Sequence, residues 1–227
     1  RWADERFIYI GSVVSPFYMC THHLGFEDLF ASIITEPDLV EHLMDRLLQL
    51  RLEHIRAMAE CGGDAIWIDD AAATSDMISA EQYRRFSKPR VTAMVEEIHR
   101  LGLKAMVIYF GGVMDRLEDI ADTGADAITM EASMKGFTND VAEAAKRIGD
   151  RMTVYGNINP GTVLQNGTDA EVKAEIETQI KSGKKARGFV LSTGSPVTPS
   201  TPAERIRLFI ESGREIGGKI YSEKADD

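Results

Sequence analysis

Two cysteines in 227 residues, Cys20 and Cys61, are too few and too far apart for a disulfide framework or a two-pair metal site, so a reducing cytoplasm is the expected setting. Positive charge is also short: 26 Lys and Arg stand against 36 Asp and Glu, for a formal net charge of −10. Such a surface opposes phosphate backbones and anionic lipid heads, which excludes nucleic acid and membrane as expected partners and leaves a small-molecule substrate. No apolar run approaches the roughly 18 residues that span a bilayer. The opening residues, Arg1 to Arg6, carry no signal-peptide core. Also missing are a Walker loop, a GxGxxG after a strand, a GxSxG elbow and an HExxH helix, and with them the common nucleotide, hydrolase and metalloprotease signatures.

What is present is an ordinary globular composition, 44% hydrophobic and 27% charged, enough for one sizeable core. Short β-rich runs alternate with longer amphipathic ones, the pattern of parallel strands joined by crossover helices. Six strands are expected, at Phe7 to Val14, Ala65 to Asp70, Lys104 to Phe110, Ala127 to Glu131, Met152 to Asn157 and Gly188 to Thr193. Between them, Pro37 to Glu60 holds helical leucine spacing behind a Pro suited to a first turn. Ser79 and Gln82 form a capping box for a helix running to Leu101, which Pro89 must kink or divide. The cadence Gly-x-Asp-Ala recurs at Gly62 to Ala65 and Gly124 to Ala127, marking two equivalent loops that lead into strands.

Six βα units point to a TIM (β/α)8 barrel in preference to an open doubly wound sheet. The chain starts without Met and reaches a strand-like run almost at once, so the two remaining units are expected upstream of Arg1. Residues 1–218 make up the barrel domain and residues 219–227 a frayed polar tail.

Barrel sites are built at the C-terminal ends of strands. After the first strand comes an aromatic and imidazole-rich loop containing Phe17, Tyr18, His22 and His23; later ends bring Asp69 and Asp70, Tyr109 and Phe110, Glu131, Asn157 and Ser195. Three carboxyls near one axis would raise at least one pKa into a range useful for proton transfer, so Asp70 and Glu131 are candidate acid–base groups. The competing reading is that one Asp of the pair caps the next helix. Adjacent histidines on a strand face opposite ways, and His22 is taken as the one turned into the site. His42, His54 and His99 fall in helical stretches and read as surface residues. Gly111-Gly112 and Gly156 serve either tight turns or close ligand approach.

At these strand ends the chain resembles the uroporphyrinogen decarboxylase superfamily, which includes the heme-pathway decarboxylase and corrinoid-linked methyltransferases. The resemblance rests on the loop from Gly11 to Gly25, the segment from Asp69 to Pro89, Gly156-Asn157-Ile158-Asn159-Pro160, and the Gly-rich stretch from Thr193 to Pro202. It implies a lyase of the decarboxylase kind, as in porphyrin biosynthesis, acting on a tetrapyrrole or other small carboxylated or methylated substrate. His22, Asp70 and Glu131 would be catalytic, and Phe17, Tyr18, Asp69, Tyr109, Phe110, Asn157 and Ser195 would bind substrate.

The spacing after Asp70 is similar to the methyltransferase branch, whose zinc is held by a His-x-Cys-Gly and a late Cys. Those positions read Ile108-Tyr109-Phe110-Gly111 and Ser195, so no metal is expected, and no cofactor unless a corrinoid serves a methyltransferase without zinc. The decarboxylase branch's loop tyrosine falls at His22 and its late histidine at Ser195. The alternatives are a corrinoid-dependent methyltransferase or demethylase, with a corrinoid protein as partner, and a non-catalytic tetrapyrrole-binding barrel. Family precedent also implies a homodimer.

Overall fold

The computed structural model describes residues 9–134 and 136–222. Phe7 and Ile8 of the first expected strand and the end of the expected tail, residues 223–227, lie outside the described residues. Where the sequence offers no linker and suggests one core, the chain divides into two compact units, one up to Ala127 and one from Ile128 onward.

The first unit contains β1 (Ile10–Val14), β2 (Ala65–Asp69) and β3 (Lys104–Tyr109), parallel neighbours in that order. Helices α1 (Pro16–Leu24), α2 (Phe26–Thr35) and α3 (Pro37–Glu60) lie between β1 and β2. Between β2 and β3 come α4 (Ala80–Gln82), a π-turn at Tyr83–Ser87 and α5 (Lys88–Arg100), and α6 (Leu117–Ala121) follows β3. The Ser79 and Gln82 side chains form a reciprocal capping box. Pro89 sits in the first turn of α5, directly after the π-turn, so the expected kink takes the form of a widened turn. Gly62, Gly102 and Gly124, at φ of 81°, 78° and 82°, take a conformation that other residues adopt only with strain.

The segment after β1 corrects the sequence reading, because it is a helix and not a loop. Ser15 caps α1 by accepting the Tyr18 N–H on its hydroxyl, and Pro16 occupies the first turn. His22 and His23 therefore do not alternate as on a strand. They are consecutive residues of a helix, both exposed.

Strand alternation sorts the first unit's side chains onto two faces. Gly11 faces α3, since a Cβ there would lie 2.8 Å from the Met58 sulfur. Its register partner Ile66 and the next pair, Val13 and Ile68, are buried on the same side. The opposite row, Ser12 with Trp67 and Val14 with Asp69, is only partly covered.

The second unit carries β4 (Ala127–Met130) from its second residue on, then α7 (Val141–Ile148), β5 (Thr153–Tyr155), a π-turn at Pro160–Gln165, α8 (Asp169–Gly183), β6 (Gly188–Val190) and α9 (Ala203–Ser222). β5 and β6 are parallel, Thr153 opposite Gly188. Thr168 and Glu171 close a capping box on α8. The core gathers Ile158, Val172, Ile176, Ile180 and Ile220, with Leu208 and Phe209 against it. Ile220 explains why α9 runs through Ser222, past Gly218 where the sequence placed the start of a tail: its side chain is anchored. Among the described residues no helix is long and apolar enough to cross a membrane.

Candidate active site

Asp70 lies just past β2 and is wholly buried, on the helix side of the strands. Ser15 donates to its Oδ1 and Ser87, at the end of the first π-turn, to its Oδ2, each at 2.6 Å. Burial pushes its carboxyl up to about 6, although both serine hydroxyls and the Arg116 guanidinium oppose that rise. Tyr109 joins the same layer. Its hydroxyl meets that of Tyr83 at 3.0 Å, and burial raises both phenols.

Arg116, also wholly buried, stacks over the Tyr83 ring with its Cζ 5.3 Å from the centroid. It donates to the carbonyls of Ala73 and Ile78 and to the Asp115 carboxylate. This knot, with both oxygens of Asp70 occupied, fastens the loop after β2 to the helices. Phe17 is likewise fully buried, edge-on to Phe30.

Asp69 belongs to the opposite, partly open row. Its Oδ1 accepts the Ala71 N–H at 3.1 Å in a short turn; neither Asp of the pair caps the next helix, the reading that the sequence left open, since Ser79 caps α4. Burial raises its pKa, with the Ala71 N–H and the charge of His22 pulling the other way. His22 is exposed on α1 with its ring 5.2 Å from that of Tyr18. Asp69, His22 and Tyr18 thus form one neighbourhood, and Phe110, just past β3, is half-buried.

Beside it, Gly111 leaves no room for a side chain: a Cβ would fall 2.3 Å from Asp76 Oδ1 and 2.5 Å from Thr74 Oγ1. Asp76 Oδ1 accepts the Gly112 N–H at 3.0 Å. The glycine pair therefore serves close packing of the β2 loop in addition to turning the chain.

In the second unit, Glu131 follows β4 and is 3% exposed. The Ser195 hydroxyl donates to its Oε1 at 3.3 Å. Its backbone carbonyl accepts from two carboxamides, Asn139 Nδ2 at 3.0 Å and Asn157 Nδ2 at 3.2 Å. Gly194 brings the Ser195 loop against the strand end: a Cβ on it would lie 2.2 Å from Ala132 N, whose N–H donates to the Gly194 carbonyl. Glu131, Asn157 and Ser195 are thus assembled in one cluster.

Sequence reasoning passed over Ser15, Ser87, Arg116, Asn139 and Gln179. Their roles come from contacts between distant segments, and the available signals were Gly111 and Gly156, where the backbone must be approached closely.

A family profile described as uroporphyrinogen decarboxylase (URO-D) matches residues 2–216. The chain belongs to the URO-D family. It is 28% identical over 220 residues to a uroporphyrinogen decarboxylase of Coxiella burnetii, covering 92% of this chain and 58% of that protein. It is 27% identical to the methylcobamide:CoM methyltransferase MtaA of Methanosarcina barkeri, covering 91% of this chain and 58% of the relative. A solved methyltransferase from Methanosarcina mazei superimposes with a TM-score of 0.80 at 24% identity, over 91% of this chain and 58% of that one, which shows the fold as α/β barrel. The chain spans less than two thirds of these relatives' length.

The URO-D family therefore joins decarboxylase-named and methyltransferase-named proteins at nearly equal distance from this chain. The zinc that the resemblance associates with one branch does not fit the residues here. Phe110 and Ser195 hold the thiol positions, and Cys20 is buried with its thiol pushed up to about 12 by burial. Among the described residues no group of three or more His, Cys, Asp or Glu could hold a metal.

Proposed function

We propose that this URO-D-family chain serves an acid–base enzyme that decarboxylates a small carboxylated substrate of the tetrapyrrole kind, with Glu131 as the proton-transfer group. In such a step the bond from carbon to carboxylate breaks, carbon dioxide leaves, and the electron pair left on carbon takes a proton from the enzyme acid. The observation that carries the reading is the setting of Glu131: a nearly water-free carboxyl with Ser195 on one oxygen and its main chain braced by Asn139 and Asn157. An acid so fixed meets the orientation requirement of proton transfer. Within the first unit, taken by itself, Asp69, whose pKa burial raises, has His22 and Tyr18 in its neighbourhood and is a further polar group to test by substitution.

Carbon dioxide release from uroporphyrinogen and coproporphyrinogen, measured on the intact protein and on Glu131→Gln, tests the reading. Glu131→Gln should lower kcat by about 10²-fold or more; turnover equal in the two proteins would overturn it.

The kinship to MtaA favours a second reading, corrinoid-dependent methyl transfer without zinc, for which a corrinoid protein is the partner. Methyl transfer from methylcobalamin with no carbon dioxide release would establish it in place of the first. Tight tetrapyrrole binding with neither reaction would assign a binding barrel. A homodimer remains part of the proposal, to be read from the mass of the intact protein in solution.

A further inference from the structure

We infer that Gln179, on α8, is a positioning residue for Glu131, acting through Asn157; the inference rests on the reading of Glu131 as the proton-transfer group. Gln179 is 6% exposed and 22 residues from Asn157 in sequence, yet the two residues make a reciprocal pair. The Asn157 backbone N–H donates to Gln179 Oε1 at 2.9 Å, and Gln179 Nε2 donates to Asn157 Oδ1 at 3.1 Å. Gly156 makes the approach possible, since a Cβ there would lie 2.6 Å from Gln179 Oε1. The Gly156-Asn157 motif is thereby explained by a helix side chain that must reach the backbone.

The pairing fixes the direction of each amide. Gln179 must present its oxygen to the Asn157 N–H, and its nitrogen also donates to Glu175 Oε1 at 2.8 Å. With Gln179 so fixed, Asn157 must turn its oxygen to α8 and its nitrogen the other way, where Nδ2 donates to the carbonyls of Asn139 at 2.8 Å and Glu131 at 3.2 Å. A reversed Asn157 would set an oxygen against two carbonyl oxygens. Gln179 therefore determines whether the Glu131 carbonyl keeps its second donor. That peptide plane sets the direction in which the Glu131 side chain leaves the chain towards Ser195.

The measurement uses the intact protein, isotope-labelled on glutamate carbonyl carbon and asparagine side-chain nitrogen, as wild type, Gln179→Met and Gln179→Glu. Gln179→Met keeps the length and removes both hydrogen bonds. It should shift the Glu131 carbonyl resonance, speed exchange of the Asn157 side-chain protons by about tenfold or more, and lower kcat for uroporphyrinogen by roughly 10²-fold with KM unchanged. Gln179→Glu keeps an acceptor for the Asn157 N–H but, when ionised, has no proton for Asn157 Oδ1; it should therefore lose kcat at high pH and return towards wild type on acidification, because a protonated carboxyl can again donate to that oxygen. This rescue separates positioning from loss of fold.

An unchanged Glu131 resonance in Gln179→Met, or a Gln179→Glu variant with no acid rescue, would overturn the inference. So would full kcat in Gln179→Met beside lost kcat in Glu131→Gln, a result that leaves the reading of Glu131 standing. Undiminished kcat in Glu131→Gln would remove that reading instead, and the carbonyl resonance would still decide whether Gln179 reaches Glu131.

Discussion

Replacing Asp70 by Asn should remove a pH dependence of stability and leave the fold intact. The folded state holds the Asp70 proton more tightly than the unfolded chain does, because burial lifts its pKa from 3.8 to about 6. Protein that binds more protons when folded loses stability as pH rises, here between about pH 4 and pH 6, and the loss is complete above that window. Two pH units at about 1.4 kcal/mol each make about 3 kcal/mol. Asn carries no charge to desolvate, and its amide can still meet both hydroxyls, accepting from Ser15 and donating to the Ser87 oxygen. The difference in unfolding free energy, Asp70→Asn minus wild type, should therefore grow by about 3 kcal/mol from pH 4 to pH 7. Urea unfolding across that range measures it, and taking the difference cancels every other titrating group. Parallel curves would refute the argument by showing that Asp70 is not desolvated. Asp70→Ala is the contrasting variant: it leaves two buried hydroxyls without their acceptor and should lose about 1–3 kcal/mol for each.

Gly194→Ala should lower the urea midpoint by an amount equivalent to about 3 kcal/mol, because the new methyl meets the Ala132 backbone at 2.2 Å and backbone cannot rotate away; an unchanged midpoint would mean the Ser195 loop repacks freely. Ser195→Ala removes the hydroxyl that donates to Glu131 and should lower kcat by about tenfold while the thermal midpoint stays near wild type, as checked by calorimetry and steady-state assay together. Asp126→Ala should lose about 1–3 kcal/mol by releasing the Ala105 N–H, His99 and Lys104. Burial alone would raise the Asp126 pKa, but those three partners outweigh it and hold the carboxyl below its usual value. Its contribution is therefore present at neutral pH and lost as pH falls through the lowered pKa, an acid limb that the alanine variant should lack.

The alternation of strands and helices was legible because each strand is a short apolar run bracketed by turn residues, and because Pro37, Ser79 with Gln82, and Gly102 act locally. What was not legible depended on contacts across dozens of residues. The exception is α1: Ser15 turns the expected loop into a helix through one hydroxyl, and the Ser15-Pro16 pair was a local helix-start signal, outweighed by the aromatic and imidazole residues after it. The Asp69 and Asp70 pair shows the distant-contact limit for the site. Both letters promise a carboxylate at a strand end, but strand alternation sends one to each face, and only the partners, Ser87 for Asp70 and the Ala71 N–H for Asp69, say which is which. Glu131 was legible as an acid at a strand end, whereas its bracing by Asn139 and Gln179 was not.

The Gly-x-Asp-Ala repeat shows how one chemistry takes opposite meanings at the two ends of a strand. Asp64 Oδ2 accepts the Tyr9 N–H at 2.8 Å, and Asp126 Oδ2 accepts the Ala105 N–H at 3.0 Å. In each case the carboxylate at the start of a strand ties down the strand before it, while its own backbone N–H donates to the carbonyl of Tyr9 or Ala105. Charge at this end is met at once, by Lys104 and His99 at Asp126, so it holds the strands in register and leaves no proton to give. Asp69, at the other end of β2, accepts the Ala71 N–H and lies in the field of His22. At Asp69 burial outweighs the partners and raises the pKa, whereas at Asp126 the partners outweigh burial and lower it. The two ends of β2 thus carry carboxylates of different duty: Asp64 ties β1 down from the start of the strand, and Asp69 stands at its other end on the partly open row.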